Sequence, residues 1–210
     1  MTKSFYERYW DRDDKQGQLS DFQLKWPILQ KLIPKEKSIA ILDFGCGNGF
    51  ILREMMKINP DARYVGVDVS RVAIAEARQV LPNLDFHEIE DGAPVPLKDS
   101  SVDFIFSSEV IEHIYDTENA VREWSRILKP GGKVLLTTPY HGFLKNLLIT
   151  IFGFDKHFNP TGPHVRFFSK KTLFNLLEKN KLMVEGCGYY GRFYPISHSI
   201  FVLAKKLAHE

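Results

Sequence analysis

Two groups of residues in this sequence have the types and spacing to do chemistry. The first lies in IAILDFGCGNGF (39–50), where an apolar run ends at Asp43 and passes into a turn carrying Gly45, Gly47 and Gly49. Glycines in a strand-to-helix turn permit φ > 0 and leave bare backbone for a ligand to touch. The helix behind the turn offers unpaired N–H groups and a partial positive charge, which suit the polar end of a nucleotide or amino-acid ligand. Asp68, in YVGVDVS, stands at the end of the next apolar run, 68 − 49 = 19 residues after Gly49. An acidic residue about that far beyond a glycine turn is placed to bind a ribose diol, and its structural alternative is a helix cap beside Ser70. The second group is Glu109, Glu112 and His113 in SSEVIEHI. On a helix these positions share one face, where two carboxylates and an imidazole can hold a divalent cation, form a structural network, or present His113 as a general base.

These residues need elements to position them. Four β-like runs, 38–43, 63–68, 84–89 and 102–107, alternate with helical patterns, of which 49–58 and 71–81 each stop before a proline, Pro60 and Pro82. Such alternation predicts a parallel sheet with helices on both faces. A helix over 118–128 runs into KPGGK, where Pro130, Gly131 and Gly132 signal a stop and turn before a strand over 133–138. A helix over 170–180 and strands over 183–189 and 198–204 complete the chain, and the short link between the last two predicts an antiparallel edge hairpin. The fold class is therefore α/β: a doubly wound, Rossmann-like sheet of seven strands, mostly parallel with one antiparallel edge strand.

At 210 residues one well-cored domain over 1–210 is expected. Within it, 1–37 reads as a helical cap in two pieces separated at Gln16-Gly17-Gln18, with Pro27 marking a start or kink. Its aromatics, Phe5, Tyr6, Tyr9 and Trp10, either dock the segment on the core or cover a ligand. With 28 basic and 26 acidic residues the net charge is only +2, which argues against nucleic acid as a partner. Two cysteines, Cys46 and Cys187, and no secretory signal fit a cytoplasmic protein.

The Asp-x-Gly-x-Gly-x-Gly turn, together with SSVDFIFSSEVIEHI, ILKPGGKVLLTTP and the terminal strand pair, resembles the class I S-adenosylmethionine-dependent methyltransferases of the type 11/23 group. The resemblance covers nearly the whole chain from Ser38 onward. It implies that Asp43 and the backbone of Gly45 and Gly47 hold the methionine end of the cofactor, that Asp68 takes both ribose hydroxyls, and that Val69 lies against adenine. Asp91, followed by Gly92 in EIEDGAPVPL, falls where the family has an acidic residue near the adenine amino group, with Glu90 adjacent. Ser108 would line the site beside the methionine moiety. In many similar enzymes the Glu-x-x-Glu-His element holds no metal and its histidine acts as a base or lines the pocket; in those that methylate small RNAs or ubiquinone precursors it ligates a metal with a downstream histidine. This implies Glu109, Glu112, His113 and His164 as ligands, with Mg²⁺, Mn²⁺ or Zn²⁺ as the ion.

The segment 140–168 is too long for a simple connection and reads as a substrate-side insert. Leu144, Leu147, Leu148, Ile151 and Phe152 follow helical spacing, so 143–154 can line an apolar acceptor pocket, meet a bilayer surface, pack on a second subunit, or lie buried in its own domain. The insert looks similar to that of the ubiquinone-biosynthesis O-methyltransferases; where those enzymes place an arginine on the cofactor carboxylate, this chain offers Lys25. Tyr140, His141, His157, Arg166, Tyr189, Tyr190 and Arg192 are further candidates to surround an acceptor. The expected function is transfer of a methyl group to an oxygen on a small, fairly apolar molecule. The alternatives are RNA 2′-O-methylation and a non-catalytic module that binds cofactor or a partner.

Overall fold

A computed structural model of the chain describes residues 7–10, 16–158 and 162–208; Phe5 and Tyr6 lie outside them. The strands are β1 (Ala40–Phe44), β2 (Arg63–Asp68), β3 (Asp85–Glu88), β4 (Val102–Ser108), β5 (Leu128–Pro139), β6 (Leu182–Tyr190) and β7 (Ser199–Lys206), in the spatial order β3-β2-β1-β4-β5-β7-β6. The first five pair in parallel, while β7 runs antiparallel to both β5 and β6. The single antiparallel strand thus belongs to the edge hairpin and lies one in from the edge, which β6 forms.

Alternation along the strands divides the core between the two faces of the sheet. On β1, Ala40, Leu42 and Phe44 join one apolar cluster with Trp124 and Ile127 of the helix Thr117–Ile127 and Leu173 and Leu177 of the helix Lys170–Lys179. Ile41 points the other way, into a cluster with Leu52 and Met55 of Phe50–Ile58, Ile74 and Ala77 of Arg71–Val80, and Trp26 and Leu29 of Gln16–Leu29. A period of two on a sheet covered on both sides produces this division.

Gln16-Gly17-Gln18 begins the helix Gln16–Leu29, and Pro27 sits in its last turn, after which a 3₁₀ turn over Gln30–Leu32 ends the segment. KPGG also differs from its expected form. The strand already begins at Leu128, and the turn is absorbed into it as a bulge: Gly131 takes φ +79° and the register jumps, so that Val102 pairs with Leu128 but Phe104 pairs with Lys133. The strand order reverses direction between β1 and β4, and in open α/β sheets the crevice at the carboxyl ends beside such a switch point is where ligands bind.

Candidate cofactor and acceptor site

The crevice is built from the glycine turn outward. Gly45 and Cys46 donate their N–H groups to the Val67 carbonyl at 2.8 and 3.0 Å, stitching the turn to the end of β2. The Asp68 carboxylate completes the seam, accepting from Gly47 N–H at 2.9 Å and Ser70 N–H at 2.8 Å, while the Ser70 hydroxyl caps the following helix. An ionised carboxylate has about four lone-pair sites, so Asp68 keeps acceptor capacity beyond these two bonds. Gly45 is at φ +83° and a Cβ there would lie 2.3 Å from Val110; Gly47 is at φ +53° and a Cβ would lie 2.5 Å from the Trp10 ring. Only glycine meets both demands at either position.

The turn opens on a cavity of about 440 Å³, within the range of roughly 300–1,000 Å³ typical of small-molecule sites. Asp43, Gly45, Gly47, Asp68, Val69, Asp91, Gly92 and Ser108 all line it, as does Glu90. Tyr9, Trp10 and Phe22 form part of its wall, so the described N-terminal aromatics serve both readings: Trp10 is buried and faces the ligand space. Lys25 is buried on the same wall.

Asp43 is 2% exposed and its Oδ2 has no hydrogen-bond partner among the described residues. Burial, reinforced by the neighbouring Asp68, pushes its pKa up to about 8 against a counteracting pull from Lys25. Burial also raises the Asp68 pKa, opposed by the backbone N–H bonds from Ser70 and Gly47. Both carboxylates are thus tuned by the absence of water around them.

The Glu-x-x-Glu-His segment does not present one helical face. Glu109 adopts φ +56°, and only Ile111–His113 forms a 3₁₀ turn. The Glu109 N–H reaches the Thr137 carbonyl on β5 at 3.0 Å, and its Oε1 accepts from the hydroxyls of Thr137 at 2.9 Å and Tyr190 at 2.7 Å. Ser108 Oγ lies 2.9 Å from Thr137 Oγ1 in the same chain of hydroxyls. Glu112 turns inward, is 1% exposed, and takes a bond from Thr138 Oγ1 at 3.0 Å.

Glu112, His113 and His164 bring one ligand atom each to within 4.8 Å of one another; Glu109 is not in that group. Of the four residues that the resemblance implied as ligands, three converge, and Glu109 is directed to hydroxyl partners. Glu112 Oε1, buried without a hydrogen bond among the described residues, lies 3.7 Å from His113 Nε2. His113 Nδ1 is 3.0 Å from the Pro163 carbonyl, which fixes the ring and directs Nε2 toward Glu112. Burial lowers the His113 pKa to about 4, so the ring is neutral and suited to ligation, while as a proton acceptor it is weakened. His164 is brought in by its neighbours, since the N–H groups of Val165 and Arg166 both bond to the Glu112 carbonyl, at 2.9 and 3.0 Å.

The other acceptor candidates divide. His157 and Arg192 line a second cavity beside the first, while Tyr190 holds Glu109. His141 is buried against Asn146, Tyr140 packs on Tyr189, and Arg166 bonds the Tyr115 carbonyl. Sequence reasoning gave no role to Val110 against Gly45, to Thr137 and Thr138, or to Lys145, which lines the second cavity. None of these carries a local signal, because each acts across the sheet or between distant segments.

A family model described as a methyltransferase domain matches residues 42–136, the span from β1 to β5 that contains the turn, Asp68 and the Glu-x-x-Glu-His segment. A probable S-adenosylmethionine-dependent methyltransferase from Mycolicibacterium smegmatis is 30% identical over 161 residues, covering 75% of this chain and 57% of its own length. Over 42–136 the chain matches a methyltransferase domain, and beyond it the chain is similar to proteins named as S-adenosylmethionine-dependent methyltransferases. The chain spans little more than half the length of that mycobacterial relative. A ubiquinone biosynthesis O-methyltransferase from Chromobacterium violaceum is 29% identical over 173 residues, covering 75% of this chain and 69% of its own. Among solved structures, the methyltransferase in a complex with the Haloferax volcanii activator Trm112 superposes with a TM-score of 0.81 at 17% identity, covering 97% and 98% of the two chains, which shows the shared fold.

Proposed function

We propose that the chain transfers the methyl group of S-adenosylmethionine to an oxygen of a small, fairly apolar acceptor. The observation that carries this reading is a buried Asp43 oxygen without a hydrogen-bond partner among the described residues, on the wall of a cavity that the His113 imidazole also lines. A buried carboxylate oxygen without a hydrogen-bond partner among the described residues fits a cationic ligand group such as an amino-acid ammonium. Asp43 with the Gly45 and Gly47 backbone would hold the methionine end, Lys25 would meet the carboxylate, and Asp68 would take the ribose. Val69, with Asp91 and Gly92, would flank adenine, and Ser108 would border the reacting end.

When bound, the cofactor supplies a sulfonium-activated methyl group, an electrophile that needs no further activation. The chain therefore has three tasks: it aligns the acceptor oxygen, excludes water with Trp10 and Phe22, and lowers the cost of removing the acceptor proton. His113, held at Nδ1 by the Pro163 carbonyl, presents Nε2 as the acceptor nitrogen, and an ionised acceptor or a nearby cation would have to offset the weak basicity that burial gives it. Glu112, His113 and His164 also suit a divalent cation: Glu112 Oε1 lacks a hydrogen-bond partner among the described residues, His113 is held at Nδ1, and both rings have lowered pKa values. A cation held there would favour the ionised form of an acceptor hydroxyl.

The helix Phe143–Phe152 supports peripheral membrane contact as part of this reading, with 1–37 acting as a cap and 140–168 as a substrate-side insert in a cytoplasmic protein. None of the helix's residues is buried; Phe143 is 85%, Ile151 61% and Phe152 80% exposed. No helix among the described residues is long and apolar enough to cross a membrane. The test is methyl transfer from labelled S-adenosylmethionine to matched phenol, catechol, amine and carbon acceptors bearing an alkyl tail. Labelled ethers are expected. Methylation of amines or carbon alone would overturn the oxygen assignment, and cofactor binding without transfer to any acceptor would favour a binding module.

A further inference from the structure

The second cavity, of about 940 Å³, adjoins the first, and Glu109 lines both. Its lining is of mixed character. The helix Phe143–Phe152 contributes both the apolar Leu148, Ile149 and Phe152 and the ammonium of Lys145. Arg192, His157 and His198 from other segments line the same space.

Bringing cations together beside an apolar wall is unfavourable unless something of opposite charge meets them. Glu109 is the one carboxylate among the described lining residues, and its Oε1 already accepts from Thr137 and Tyr190. Lys145 uses one N–H on the His198 carbonyl, at 2.9 Å, which holds the ammonium in the cavity and leaves two of its three donors. Its pKa is lowered to about 8 by burial and by Arg192, so the two cations sense each other across this space. Arg192 adds a planar fork whose geometry matches the two oxygens of a carboxylate or phosphate.

We propose that this cavity seats the methyl acceptor, and that the acceptor carries an oxyanion, carboxylate or phosphate, held by Lys145 and Arg192 with its apolar body along Phe143–Phe152. The assignment rests on the methyltransferase reading above and adds a substrate class to it: an anionic amphiphile. Glu109, between the two cavities, borders both the reacting end and the anion seat.

The test uses decyl phosphate, decanoate and decanol as probes, titrated calorimetrically into the full chain with and without S-adenosylhomocysteine. Both anions are expected to bind at least about tenfold more tightly than decanol, the worth of one charge-assisted hydrogen bond, and the tighter of the two assigns phosphate or carboxylate. Arg192→Gln and Lys145→Gln should each reduce that preference, and the double variant should abolish it while S-adenosylhomocysteine affinity stays unchanged. Arg192 is exposed, so its single variant keeps the test readable if Lys145→Gln folds poorly. Equal affinity for all three probes, or a preference that survives the double variant, overturns the oxyanion seat and leaves the methyltransferase reading standing. Failure of S-adenosylhomocysteine to bind at all removes that reading, and the acceptor assignment falls with it.

Discussion

Asp43→Asn separates what the site needs from what the fold prefers. The Asp43 pKa lies at about 8 in the folded chain against 3.8 for the ordinary side chain. Below the unfolded value both states carry the proton, and as pH rises the unfolded chain loses it first. Stability is therefore full at low pH and declines until the folded pKa is reached. At ~1.36 kcal/mol per pH unit, the decline from 3.8 to near neutrality is about 4 kcal/mol. An amide escapes it but leaves a buried N–H₂ short of acceptors, which costs about 1–3 kcal/mol. The net expectation is a variant more stable by about 2 kcal/mol near pH 7, or ~4–8 °C in Tm, with a flatter pH dependence. Binding should move the other way. The neutral carboxyl must lose its proton to face an ammonium, so wild-type affinity for S-adenosylhomocysteine should fall about tenfold for each pH unit below about 8. In Asp43→Asn it should be weak and nearly independent of pH. Thermal melts and calorimetry over the range of about pH 5.5–7.5 read both effects. A variant that melts lower than wild type near neutrality, or a wild type whose affinity is flat across that range, would refute the reasoning.

Asp68→Ala deprives Gly47 and Ser70 of their acceptor and removes the group assigned to the ribose. Stability should drop by about 1–3 kcal/mol in urea melts and S-adenosylhomocysteine affinity by about a hundredfold; an affinity within threefold of wild type would exclude the ribose role. Gly45→Ala places a methyl 2.3 Å from Val110 Cγ2 at φ +83° and should cost roughly 1–3 kcal/mol, of which Gly45→Ala with Val110→Ala restores only the steric part. A double-mutant cycle in urea checks it, and strict additivity would show that the contact is relieved some other way. Equilibrium dialysis with Zn²⁺, Mn²⁺ and Mg²⁺ should show His164→Ala and Glu112→Gln weakening any bound ion by more than about tenfold, whereas Glu109→Gln leaves it nearly unchanged. Equal losses at Glu109 would restore the four-ligand set that the resemblance implied.

The half of the site that faces the cofactor was legible because its signals are local. The run from Ile39 to Gly49 joins strand, acidic residue and turn in eleven consecutive residues, and Asp68 is placed by the rise of one helix and one strand. The acceptor half follows another logic. The spacing of Glu109 to Glu112 and His113 puts the three on one face only if the segment is helical, but the backbone at 109 is fixed by Thr137, 137 − 109 = 28 residues away on the neighbouring strand. No periodicity within SSEVIEHI records that bond. His164 entered through resemblance alone; what holds it near Glu112 is a pair of backbone bonds from Val165 and Arg166 across more than fifty residues.

This difference in legibility follows from how the fold is assembled. The carboxyl ends of β1, β2 and β4 are fixed by the core on both faces, so residues at those ends inherit positions that any sequence with the same alternation would give them. Lys145, His157, His164 and Arg192 inherit nothing of the kind. They ride on the segment that follows β5 and on the loop that joins β6 to β7, and those two segments are tied by the Lys145 ammonium and the Tyr140 N–H on the His198 carbonyl, with His164 held separately through the Glu112 carbonyl. A change of acceptor therefore needs substitutions in those segments and none in the glycine turn. For the same reason, Arg192→Gln should alter which acceptors bind without altering the affinity for the cofactor product, whereas Asp43→Asn should do the reverse.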